Sequence, residues 1–132
     1  MGRGSESVTD MVTNRGDRLA IVVQALIVLA TAPRGMATSN ELADEIGAHP
    51  VVLRTLLGRL RVDGIVESRS GPKGGWAIAR DPERITLGTI HRALAPSADS
   101  APSGRLGDAL GRARDAHLTE LDKTTLAMLL DG

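Results

Sequence analysis

Apolar positions recur at helical spacing through the first half of the chain, switch briefly to alternation, and return to helical spacing near the C-terminus. Leu19, Val22, Val23, Leu26, Leu29 and Ala30 form a wide stripe that follows Asp17, a plausible cap, and stops at Pro33. So few polar residues interrupt it that the helix must be buried on more than one side. A second, short helix opens at Thr38 or Ser39. Thr38 with Glu41 three residues on makes a capping box, and Gly47 closes the helix just past its end. Leu42, Ala43 and Ile46 are its inward face. Ala48 and His49 then make a tight connection, with His49 an imperfect cap. Pro50 takes the first position of a third helix, where its missing N–H costs nothing. That helix runs to about Asp63, with Gly64 after it. Its residues Leu53, Leu56, Leu57 and Leu60 share one compact face.

After Gly64 the period changes. Residues 65–69 (IVESR) predict a short strand, SGPKGG a turn, and residues 76–80 (WAIAR) a return strand ended by Asp81 and Pro82. Thr86 caps a fourth helix with Leu87, Ile90 and Leu94 inward. Residues 95–103 (APSADSAPS) read as a small-residue linker. Beyond it Leu106, Leu110, Ala113, His117 and Leu121 resume a helical stripe, and the apolar tail TTLAMLL is capped by Thr124 or Thr125. The expected architecture is therefore mainly α with a small β-hairpin wing, a winged helix-turn-helix followed by a long C-terminal helix. Its segments are 1–16 (flexible), 17–95 (winged helix-turn-helix), 96–103 (linker) and 104–132 (helical dimerisation region). A monomer would leave the C-terminal leucines exposed, so Leu106, Leu110, Ala113, His117, Leu121, Leu126 and Leu129 are expected at a dimer interface.

Composition narrows the chemistry. With one Trp and no Phe or Tyr, the core must be built from Leu, Ile, Val and Ala. The absence of cysteine removes disulfides, thiol nucleophiles and cysteinyl metal or iron–sulfur ligation. The first residues are polar and lack a signal-like apolar run. Residues 19–32 are too short to span a bilayer, so a cytoplasmic protein without membrane contact is expected. The net charge of zero hides an uneven distribution. Between Val51 and Arg80, Arg54, Arg59, Arg61, Arg69, Lys73 and Arg80 face only Asp63 and Glu67. A basic segment in an otherwise neutral or acidic chain points to a polyanionic partner.

The third helix shows where that partner would sit. Opposite its leucines stand Val51, Arg54, Thr55, Gly58, Arg61 and Val62, with Arg59 on the flank. A recognition helix enters the major groove with its N-terminal half leading, which nominates Val51, Arg54 and Thr55 for base edges. Gly58 allows close approach of another surface. Arg59, Arg61, Lys73 and Arg80 are expected near phosphates. The DNA-binding set is completed by Thr38 at the second helix and by Arg69, Ser70, Gly71 and Gly74 around the wing.

The run ELADEIGAHPVVLRTLLGRLRVDGIVESRSGPKGGWAIARDPERITLGTIHRAL resembles the winged-helix regulators of the Rrf2 family. The resemblance covers residues 38–94, with the Gly-Pro-x-Gly-Gly wing as its most specific part. It implies a homodimeric transcription regulator whose post-linker helix pairs with its twin and whose wing tips reach toward a minor groove; a repressor is expected, with an activator left open. Two departures stand out. Ser70 occupies the place of the family's wing arginine, and Arg69, one residue earlier, points to the other face of the strand. Whether Arg69 takes over that role stays open. Cluster-binding members also carry three cysteines around the linker, where this chain reads APSADSAPSGRLGDA. No cofactor is expected. A small-molecule effector, a protein co-regulator and no sensor at all stay open.

Other chemistries fit less well. GPKGG lacks the Gly-Lys-Ser/Thr ending and following helix of a phosphate-binding loop. His49, His91 and His117 fall in no metal-ligand spacing, and there is no nucleophile elbow, so no enzyme is expected. The expectation is a homodimer on pseudo-palindromic double-stranded DNA. Its alternative is a winged-helix protein-interaction module that does not bind DNA, which would show little response to salt.

Overall fold

Helix α1 (Arg15–Thr31) is the hub of the core in the computed structural model, which describes residues 15–94 and 103–131. The expected flexible segment 1–16 and linker 96–103 lie outside those residues except for Arg15, Gly16 and Ser103. α1 starts before Asp17, which is therefore inside the helix and not its cap. Ile21, Val22, Ala25, Leu26 and Leu29 are buried, and the helix touches the four helices other than α5 and the second wing strand. Contact on several sides is what its scarcity of polar residues requires, although Ala20, Gln24, Ala30 and Thr31 stay exposed.

Helix α2 (Ser39–Ile46) forms where the capping box predicts. The Thr38 hydroxyl accepts from the Glu41 N–H at 3.1 Å, and the Glu41 carboxylate accepts from the Thr38 N–H at 2.9 Å. Gly47 closes the helix in the left-handed region, φ 72°. Helix α3 (Pro50–Val62) starts at His49, whose Nδ1 accepts from the Val51 N–H at 3.2 Å, with Pro50 as its first residue. Leu53, Leu56, Leu57 and Leu60 are all buried. Each contributes about 1.5–3 kcal/mol of apolar transfer, so this face seats the helix firmly.

The wing is an antiparallel pair, β1 (Val66–Arg69) and β2 (Gly75–Ile78), in the register Val66 to Ile78 and Arg69 to Gly75. β1 starts one residue later than expected because the Ile65 N–H closes α3 by bonding the Leu60 carbonyl at 3.0 Å. A third segment joins the hairpin. Ala37 and Trp76 exchange backbone bonds of 3.1 and 2.8 Å, tying the wing to the turn before α2. Gly75 makes this possible: a Cβ there would stand 2.7 Å from the Ala37 carbonyl oxygen, and its φ is 142°.

A 3-10 turn (Pro82–Arg84) leads to α4 (Leu87–Leu94), followed by α5 (Gly104–Leu121) and α6 (Leu126–Asp131). The fold is a winged helix-turn-helix followed by a C-terminal helix. One expectation fails within that frame. Leu126 is fully buried in the core of its own chain and is not an interface residue. The Leu126 N–H bonds the Ile85 carbonyl at 2.7 Å and the Leu87 N–H bonds the Thr124 carbonyl at 2.9 Å, which turns Leu126 inward. Leu126, with partly buried Leu130, thus joins the winged-helix core. No helix among the described residues is long and apolar enough to cross a membrane.

Candidate nucleic-acid interface

With its leucines buried, α3 presents the opposite face to solvent. Val51 is 55% exposed, and Arg54 is exposed with no hydrogen bond or ion pair to any described residue. The Thr55 hydroxyl donates to the Val51 carbonyl at 3.0 Å, so its proton is spent on the helix itself. Its methyl group and a lone pair remain for a partner. Nothing lies within 4 Å of the position a Cβ would take at Gly58. No packing inside the chain therefore requires glycine there.

The other arginines of this segment turn back onto the protein. Arg59 donates to the Leu94 carbonyl at 3.1 Å, at the end of α4, where a cation also meets the negative end of the helix. Arg61 donates to the Ser68 hydroxyl at 3.1 Å, bracing α3 against β1. Arg80 donates to the Asp63 carbonyl at 2.7 Å and satisfies the end of α3. These three were expected at phosphates. Each spends one guanidinium donor as a brace between elements, while Arg59 and Arg61 stay exposed.

The wing tip is a β-turn in which the Gly74 N–H bonds the Gly71 carbonyl at 3.0 Å. Pro72 fills the second position and Lys73 the third, and the Lys73 ammonium is exposed without an ion pair among the described residues. Gly74 is buried, and a Cβ there would strike the Arg69 carbonyl oxygen. Arg69 pairs with Glu67 on the same strand face, Nη2 to Oε1 at 3.1 Å, while Ser70 is exposed. An exposed pair of this kind contributes about 0–1 kcal/mol, so a phosphate can replace Glu67 at little cost. Trp76 anchors the wing's base, its indole N–H donating to the Ser39 hydroxyl at 2.9 Å.

Sequence reasoning missed Arg34. It stands in the turn between α1 and α2, and its guanidinium donates to the Lys73 carbonyl at 3.5 Å. The only local signal was its place after Pro33 and before Gly35. An open groove of about 460 Å³ borders this junction, walled by α1 residues such as Val28 and by Met36, Glu41 and Glu45.

At the other end, Leu106, Leu110 and Leu129 are 61%, 49% and 37% exposed, and Met128, which the sequence stripe did not include, is 57% exposed. Ala113 and His117 are also exposed and Leu121 is half-buried. α5 is tied to α4 by Asp122, whose carboxylate accepts from Arg92 at 2.7 and 3.0 Å and from the Thr86 hydroxyl at 2.9 Å. These hydrogen bonds, Arg92 first, hold the Asp122 carboxyl below the usual range. The Thr38 backbone N–H does the same for Glu41.

A model of the Rrf2 family, described as iron-dependent transcriptional regulators, matches residues 16–132. Solved structures agree. IscR of T. potens is 29% identical, with a TM-score of 0.69 over 86% of this chain and 83% of that one. CymR of Staphylococcus aureus is 31% identical, with a TM-score of 0.66 over 87% and 94%. CymR of B. subtilis, titled the global cysteine regulator, is 25% identical, with a TM-score of 0.67 over 89% and 94%.

The residues here do not suit an iron centre. The sequence supplies no thiolate, and no three His, Asp or Glu side chains among the described residues are grouped to hold a metal. The fold does bring together His91 and His117, which sequence spacing kept apart, with ring centroids 5.4 Å from each other. Two imidazoles meeting edge to face make a packing contact, and no third His, Asp or Glu among the described residues joins them to hold a metal. By its wing, its recognition-helix geometry and the match over residues 16–132, this chain is a cysteine-free member of the Rrf2 family of transcriptional regulators.

Proposed function

We propose that the chain is a homodimeric repressor that binds a pseudo-palindromic operator in double-stranded DNA without an iron–sulfur cluster. Two recognition helices about 34 Å apart, one turn of DNA, would enter successive major grooves. Arg54 reads guanine O6 and N7, while Val51 and the Thr55 methyl meet thymine methyl groups. Lys73 neutralises backbone phosphate at the wing. The carrying observation is that Arg54 and Lys73 alone among the six basic residues from Val51 to Arg80 have no partner for their charged groups within the described residues. Cations left unengaged by their own chain on a basic segment are free to meet an external polyanion.

Gel shift across a library of promoter duplexes tests this reading. Arg54→Ala costs about 1–3 kcal/mol on the preferred site and relaxes its sequence preference, while Lys73→Ala weakens all sequences alike. If both variants lost affinity uniformly, the base-reading role of Arg54 would be wrong. Binding that does not weaken as salt rises would exclude the DNA reading as a whole.

A further inference from the structure

We infer that Arg34 and Lys73 form a two-cation clamp on the DNA backbone, built from two matching turns that stand side by side; this rests on the DNA-binding reading above. The turn between α1 and α2 reads Ala32-Pro33-Arg34-Gly35, and the wing tip reads Gly71-Pro72-Lys73-Gly74. Each is closed by a bond from its fourth N–H to its first carbonyl, 3.0 Å in both cases. Each has proline second, a cation third and glycine fourth. Neither Arg34 nor Lys73 has a positive φ, so both turns follow the type I pattern, for which proline second and glycine fourth are favoured.

The turns are joined in two places. Two residues beyond each turn, Ala37 and Trp76 pair their backbones, which fixes the separation of the two loops. At the tips, the Arg34 guanidinium reaches across 39 residues of sequence to the Lys73 carbonyl. At 3.5 Å that contact is long and uses one of the five guanidinium donors. The remaining donors and the Lys73 ammonium belong to adjoining turns, and both residues are exposed. Glu41 is the carboxylate that Arg34 feels, and one of its oxygens is already held by the Thr38 N–H at 2.9 Å. Prolines at both turns limit the ordering cost of binding, so two cations meet an extended polyanion already positioned. A planar fork and a point charge together suit phosphate oxygens and carry no base information.

The test uses the full chain and a labelled mixed-sequence duplex, so no operator need be known. Affinity is titrated over a range of salt for the wild type, Arg34→Gln, Lys73→Gln, the double variant and Arg34→Lys. Each phosphate contact contributes about 0.9 to the slope of log K against log salt. Arg34→Gln and Lys73→Gln are each expected to lower the slope by about one and the double variant by about two, with Arg34→Lys near wild type. Thermal melting of Arg34→Gln should match the wild type, since its side chain is exposed. A wild-type slope in Arg34→Gln, with Lys73→Gln reduced, overturns the clamp and leaves the DNA reading intact. A wild type whose affinity does not fall with salt overturns both.

Discussion

Gly58 stands in the middle of the recognition helix with open space where a side chain would go. Glycine inside a helix costs about 1 kcal/mol relative to alanine through backbone entropy, and nothing inside the chain returns that cost. Gly58→Ala should therefore raise stability by about 0.5–1 kcal/mol in urea denaturation while lowering DNA affinity. A variant that is stabilised and binds as well as the wild type would remove Gly58 from the interface. The arginines show what residue-level reading misses. Arg54, Arg59 and Arg61 look alike on a helical projection. Only the positions of the Leu94 carbonyl and the Ser68 hydroxyl separate the two braces from the unengaged Arg54.

Among elements, the junctions matter more than the elements. α2 and α3 follow from their caps and leucine spacing, but the wing's orientation rests on Ala37 and on the Trp76–Ser39 bond. Emission from Trp76, the one tryptophan, therefore reports on the junction of wing and α2. The α4–α5 junction rests on Asp122, buttressed by buried Gly88, where a Cβ would strike its carboxylate. Asp122 and Glu41 both have folded values below their unfolded ones. Their stabilisation is complete above the unfolded carboxylate range, about pH 4, and is lost as pH falls through the folded values. Thermal melting followed from neutral pH down to about pH 3 should show the wild type losing stability more steeply than Asp122→Asn. Parallel curves would mean that the Arg92–Asp122 contact does not hold in solution.

For the whole molecule, the exposed leucines of α5 and α6 are the surface through which the proposed homodimer would pair. Leu106 and Leu110 lie on a helix whose one buried residue among those described is Leu118, and α6 adds Met128 and Leu129. Cutting the chain after Ala95 would not test dimerisation cleanly, because it also removes Leu126 from the core. Loss of such a side chain costs about 2–5 kcal/mol. Leu110→Asp is the better probe. It should sediment as a monomer and keep its helical circular dichroism, whereas a Leu110→Asp dimer would place the interface elsewhere.

The helices, the capping box, the hairpin and the inward leucines were all legible in the sequence, because each signal acts within four residues or one turn of chain. Spacing of apolar side chains and one cap are enough to decide such structure. The wing motif and the basic segment were legible for the same reason, as adjacent residues in one run. The burial of Leu126, the meeting of His91 with His117 and the division of the arginines into braces and free cations were not. They depend on partners distant in sequence, such as the Asp63 and Leu94 carbonyls that lie 17 and 35 residues from Arg80 and Arg59. A hydrogen bond requires its acceptor within about 3 Å, and only the packed chain brings distant carbonyls that close. The sequence by itself determined a winged helix with a basic segment; the tertiary structure decided which of its cations are engaged within the chain, and it brought Arg34 beside the wing tip, because such contacts exist only once distant residues are packed together.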